Sequence, residues 1–142
     1  MTVVIGMVKK PDGIIVRASD FINDYYKEVA MFFQSQGFDN ITPDGLQEKM
    51  EKGDDFLLLD VRSPGEYAAD AIEGSRLLPV QELSFRVREL PRDKEIIVYC
   101  RVGNRSAFAA SYLSRLGYTV KNLEGGILAW NMAQENAFAA VS

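Results

Sequence analysis

Ile96-Ile97-Val98-Tyr99-Cys100-Arg101-Val102-Gly103-Asn104-Arg105-Ser106 runs from a buried strand, through a tight loop opening on the only cysteine of the chain, into the start of a helix. Ile96 to Tyr99 is a short run of β-branched and aromatic residues, bounded upstream by the charged turn Pro91-Arg92-Asp93-Lys94-Glu95. Asn104 or Ser106 can cap a helix continuing from Ala107 through Leu113, and Gly103 lets the backbone turn sharply without a Cβ in the way. The cysteine therefore stands at the carboxyl end of a strand and just ahead of a helix amino terminus. Open α/β sheets bind their ligands at that position.

The position has a chemical consequence. Unpaired amides of the loop and first helical turn can converge on the sulfur, the helix dipole adds partial positive charge, and Arg101 and Arg105 add full charges nearby. All three favour thiolate, and thiolates in such surroundings titrate at roughly 3.5–7.5 instead of about 8.5. The same donors suit a second anion beside the sulfur. A lone cysteine is often plain packing; the flanking arginines and the strand–loop–helix context favour chemistry here.

Outward from the loop, strands and helices alternate. Phe56-Leu57-Leu58-Leu59 is a continuous apolar strand, as a sheet covered on both faces requires, and it ends in Asp60-Val61-Arg62. Thr42-Pro43 starts a short helix upstream, and Ser63-Pro64-Gly65-Glu66-Tyr67 opens another. Arg76-Leu77-Leu78-Pro79 reads as a strand and Gln81 to Leu90 as a helix with Leu83, Val87 and Leu90 on one face. Downstream, Gly117 ends the helix of the cysteine loop, Tyr118-Thr119-Val120 leads into a last strand, and Gly125-Gly126 turns into a closing helix bearing Leu128 and Trp130. The alternation predicts an α/β fold with a mainly parallel sheet flanked by helices.

Ahead of this lies an amino-terminal extension, residues 1–40. Val3 to Val8 and Ile14 to Val16 flank Pro11-Asp12-Gly13 as a β-hairpin, and an amphipathic helix follows from about Asp20 to Ser35. Phe21, Tyr25, Val29 and Phe32 form one apolar row, with Ile22, Tyr26, Ala30 and Phe33 beside it. That stripe needs a cover, either the domain core or a second copy of the chain in a homodimer. Residues 41–135 form the main domain, and residues 136–142 read as a frayed tail.

At 142 residues the chain is long enough for a real core, with 47% hydrophobic and 25% charged residues. A net charge of −4 argues against nucleic acid or a membrane surface as partner. One cysteine forms no internal disulfide, the apolar Thr2 to Val8 is followed rather than preceded by lysines, and no run approaches a bilayer span, so the expected location is cytoplasmic. The absence of histidine excludes Ser-His-Asp and Cys-His catalysis and histidine metal sites within this chain.

Spacing discriminates among anion chemistries. A cysteine phosphatase needs Cys-x5-Arg to wrap a phosphate, whereas here the arginine arrives one position early, at Arg105. The shorter loop suits a single added sulfur better than a tetrahedral phosphate, which disfavours a phosphatase or arsenate reductase. Cys100-Arg101-Val102-Gly103-Asn104-Arg105 closely resembles the six-residue active loop of the rhodanese family of sulfurtransferases. The resemblance extends to Asp60-Val61-Arg62, Glu66-Tyr67, Leu123-Glu124-Gly125-Gly126 and Trp130, and covers roughly Ile41 to Trp130. In one segment the chain departs from the family: Asp70-Ala71-Ile72-Glu73-Gly74-Ser75 stands where many rhodaneses carry Gly-His-Ile-Pro-Gly-Ala. Ala71 replaces the histidine and Glu73 the proline, and inward-pointing Asp70 or Glu73 would repel a dianion.

The resemblance implies a sulfurtransferase that carries a persulfide on Cys100, stabilised by the loop from Arg101 through Val102, Gly103, Asn104 and Arg105 to Ser106. Its partners are then a small anionic donor, thiosulfate or polysulfide, and a thiol or cyanide acceptor, with no metal or organic cofactor. Arg105 is expected to bind the donor anion through its fork of donors, and Arg101 either assists or faces solvent. Asp60 and Arg62 are expected to form a structural ion pair, and Glu66 to orient loops. The alternative is a persulfide carrier or regulatory protein-binding module of the same fold without turnover.

Overall fold

The computed structural model describes residues 6–21 and 37–141. The chain divides into two units, residues 1–36 and residues 37–142.

In the first unit, β1 (Met7–Lys9) and β2 (Ile15–Arg17) pair antiparallel with Val8 opposite Val16. The turn closes through Gly13 N–H donating to the Lys10 carbonyl at 2.9 Å, while Asp12 Oδ1 accepts from the Ile14 amide at 3.0 Å. Helix begins at residues 18–21, slightly ahead of the expected Asp20. The start of the first hairpin arm, the rest of the amphipathic helix and the dimer contact expected of it lie outside the described residues.

The second unit holds a five-stranded sheet in the order β3-β7-β6-β4-β5, from β3 (Asp39–Ile41), β4 (Phe56–Asp60), β5 (Arg76–Leu77), β6 (Glu95–Tyr99) and β7 (Val120–Leu123). Every pairing is parallel, and Asp60 lies opposite Tyr99 at the carboxyl ends of the two central strands. Short β3 opens on two polar residues, Asp39 and Asn40, and carried no strand pattern in the sequence. It forms at the sheet edge against β7, and two of its three residues, Asp39 and Asn40, fall where the sequence assigns the extension.

Helices α1 (Pro43–Lys52), α2 (Pro64–Ala69), α3 (Leu83–Arg86), α4 (Asn104–Arg115) and α5 (Gly126–Val141) connect and cover the strands. Thr42 and Ser63 cap α1 and α2, each followed by proline at the first helical turn, and Ser63 with Glu66 completes a capping box. Side-chain alternation along β6 sorts the core. Ile96, Val98 and Cys100 join Leu83, Ala109, Ala110 and Leu113 on one face, while Ile97 and Tyr99 join Leu46, Ile72, Ile127 and Trp130 on the other. The cysteine thus continues the strand's parity toward α4.

Two expectations are corrected. Gln81 to Leu90 is not one helix: α3 is flanked by single 3-10 turns, Val80–Glu82 and Val87–Glu89. Pro91 excludes helical backbone at Leu90, which is extended, although Leu83 and Leu90 are buried as the periodicity required. The carboxyl-terminal residues do not fray at Asn136, because α5 continues to Val141. The stretch Ala133 to Ala140 contains four alanines and neither glycine nor proline, and high helix propensity carries it on.

Candidate active site

Cys100 follows β6 directly, and its side chain is 1% exposed. Its sulfur is not surrounded by hydrocarbon alone. The amides of Gly103 and Ser106 donate to Sγ at 3.1 and 3.4 Å, and the Ser106 hydroxyl donates at 3.2 Å. Burial pushes the thiol up. The Ser106 hydroxyl, then the amides of Ser106, Gly103 and Val102, outweigh burial and hold it below the ordinary thiol value.

The sequence offered Asn104 or Ser106 as cap of α4, and neither serves. Gly103 occupies the cap position at φ 118°, with no side-chain cap of its own. The cap acceptor is the sulfur itself, which takes the amide of the third helical residue, Ser106. Ser106 is therefore committed inward, its hydroxyl also 3.2 Å from the Gly103 carbonyl.

Three contacts hold the loop with its amides facing the sulfur. Ile127 and Leu128, at the start of α5, donate their amides to the carbonyls of Cys100 and Arg101 at 2.9 and 3.2 Å. Gly126, at φ 60°, makes this approach feasible, since a Cβ there would fall on those same two carbonyl groups. Asn122, 7% exposed on β7, donates Nδ2 to the Gly103 carbonyl at 3.3 Å, while its Oδ1 is buried without a hydrogen-bond partner. Sequence reading missed Asn122, a polar residue in an apolar strand pattern. A buried amide between Val120 and Leu123 was the signal available.

The other expected residues divide sharply. Arg101, Val102 and Asn104 are exposed at the rim. Arg105 does not present its guanidinium freely: Nη1 and Nη2 donate to the two carboxylate oxygens of Glu66 at 2.7 and 2.9 Å. The Arg105 guanidinium holds the Glu66 carboxyl at about 2 against the effect of burial, with the Ser63 amide and hydroxyl adding to it. Asp60 and Arg62 form a buried pair, Nε and Nη2 of Arg62 reaching both carboxylate oxygens, and Arg62 also donates to the Asp70 carbonyl. The pair braces the strand end beside Tyr99, whose ring lies 5.6 Å from the guanidinium.

The segment 70–75 is tied back in the same way. Buried Tyr99 accepts from the Ile72 amide at 3.1 Å and shares a 2.8 Å hydrogen bond with Ser75, and burial pushes its phenol up to about 12. Glu73 is exposed and lines a cavity of about 260 Å³ with Met50, Asp54, Phe56, Leu58 and Gly74. Phe56 opens β4, so this cavity lies at the opposite end of the strand from Asp60 and the cysteine loop. Asp70 accepts from the Asn131 side chain at 2.8 Å. Among the described residues no group of three His, Cys, Asp or Glu gathers to hold a metal, and no helix is long and apolar enough to cross a membrane.

Comparison with known proteins matches residues 42–133 to the rhodanese-like domain family. The chain is 40% identical over 91 residues to a sulfurtransferase of Allochromatium vinosum, covering 63% of this chain and 85% of that protein. It is 35% identical over 94 residues to the thiosulfate sulfurtransferase GlpE of Pseudomonas fluorescens, covering 66% and 84%. Among solved structures, a rhodanese-related protein from Thermoplasma volcanium superposes with a TM-score of 0.63 at 36% identity, covering 68% of this chain and 93% of that one.

Proposed function

Because the chain belongs to the rhodanese-like family, we propose that it is a sulfurtransferase moving sulfane sulfur from thiosulfate or polysulfide to a thiophilic acceptor through a persulfide on Cys100. The observation carrying this reading is the set of donors on Sγ: two amides and a hydroxyl aimed at one sulfur that burial alone would keep protonated.

The thiolate attacks the outer sulfur of thiosulfate, an S–S bond forms on Cys100, the donor S–S bond breaks, and sulfite leaves with the electron pair. A polysulfide donor leaves one sulfur shorter. A thiol or cyanide then attacks the outer sulfur of the persulfide and restores the thiolate, a ping-pong cycle. The donors on Sγ favour the ionised nucleophile, so the mechanism calls on no general base. Cys100 and the loop Arg101 to Ser106 carry these steps, Asp60 and Arg62 brace the loop from beside it, and the cytoplasm with its reduced thiols suits the chemistry. Mass spectrometry after donor treatment tests this: Cys100 gains one sulfur, and Cys100→Ser abolishes adduct and turnover. A wild-type chain that gains no sulfur overturns the proposal.

The near-complete burial of Cys100 favours one further reading, a persulfide carrier or regulatory module that holds sulfur without turnover. Steady-state rates no higher than those of Cys100→Ser, with the adduct still forming, would select it.

A further inference from the structure

We propose that the Glu66–Arg105 pair sets donor choice, withholding the guanidinium from the sulfonate of thiosulfate and leaving the cradle to thiol persulfides. The inference rests on the sulfurtransferase reading above and names the substrate class of that site.

An arginine two residues into the helix of such a loop is the natural clamp for an oxyanion. Here both terminal nitrogens are engaged with Glu66 at 2.7 and 2.9 Å. The carboxylate is itself held from the other side, because Oε1 also accepts from the Ser63 amide at 3.3 Å, one of the two capping-box bonds that start α2, and from the Ser63 hydroxyl at 3.1 Å. It stays ionised throughout the physiological range, its carboxyl held at about 2 by Arg105, so the pair does not open by protonation. The Gly103 and Ser106 amides and the Ser106 hydroxyl already serve the Cys100 sulfur. A sulfonate entering beside that sulfur brings two negative charges and three acceptor oxygens. It meets a neutralised arginine and the carboxylate that neutralises it.

A thiol persulfide, RS–SH, asks for no oxyanion clamp. The Cys100 thiolate attacks its outer sulfur, the new Cys100 S–S bond forms, the RS–S bond breaks, and RS⁻ departs with the electron pair. The outer sulfur keeps its proton, and one negative charge passes from Cys100 to the leaving thiolate. Nothing else is oxidised or reduced.

The test compares glutathione persulfide with thiosulfate as donor, reading Cys100 persulfide by mass spectrometry and kcat/KM for each. Wild type favours the persulfide by at least about tenfold. Glu66→Gln keeps an acceptor for Ser63 and removes the negative charge that neutralises Arg105, so the preference falls by about tenfold or more, chiefly through a lower KM for thiosulfate. Ser63→Ala, which loosens Glu66 without touching its charge, shifts the preference the same way by less and decides the matter if Glu66→Gln does not fold. A wild type that uses thiosulfate equally well, or a preference unmoved in the variants, overturns donor selection while leaving sulfur transfer intact. Cys100 gaining no sulfur from either donor overturns both.

Discussion

Cys100 shows how a single side chain acquires its chemistry from its neighbours. The Ser106 hydroxyl is the strongest of the groups that favour its thiolate, so Ser106→Ala removes a charge-assisted hydrogen bond worth about 1.5–3 kcal/mol and lets the thiol move back up toward its ordinary value. The rate of iodoacetamide alkylation against pH reads this directly, its acid limb moving to higher pH in the variant. The sign follows from linkage: the folded chain prefers the thiolate, so the stabilisation is present above the ordinary thiol value of about 8.5 and is lost as pH falls through the lower folded value. Cys100, Gly103 and Ser106 were legible because they fall within one short strand–loop–helix stretch of the chain. Two other roles were not. Asn122 reaches the Gly103 carbonyl only because β7 lies beside β6, and Glu66 reaches Arg105 across 39 positions of sequence. Local pattern carries no record of such pairings.

At the scale of the element, the helix after the cysteine begins on a glycine with no cap of its own and leans on the cysteine sulfur instead, and the helix after β7 begins against the cysteine loop. Gly126→Ala forces a Cβ onto the carbonyls of Cys100 and Arg101 at a backbone angle alanine rarely adopts. It destabilises the fold by more than about 2 kcal/mol, measured by urea denaturation, and slows the loading of Cys100 at temperatures where the chain is still folded. Of the elements, long apolar runs and capped helices were readable: Thr42-Pro43, Ser63-Pro64 and Phe56 to Leu59 each mark a real boundary or strand. The three-residue β3 was not, since aspartate and asparagine are poor strand formers and only the adjacent β7 makes them one.

Across the whole domain, the parallel order β3-β7-β6-β4-β5 gathers the carboxyl ends of β4 and β6 so that Asp60-Val61-Arg62 and the cysteine loop start side by side. The buried Asp60–Arg62 pair holds that junction, and its bond to the Asp70 carbonyl ties in the segment after α2. Arg62→Leu leaves a buried carboxylate without its counter-charge, and costs about 3–5 kcal/mol of stability by chemical denaturation. The sequence suggested an ion pair here; that it would anchor three segments at once follows only from the pairing of the strands. The altered residues at 70–75 raised a concern about charge at the cleft, and the sheet answers it for Glu73 by sending that residue to the far end of β4.

The sulfur that ends β6 also begins α4. One atom thus closes a strand and opens a helix, so any change of charge at that sulfur bears directly on the first backbone amides of α4.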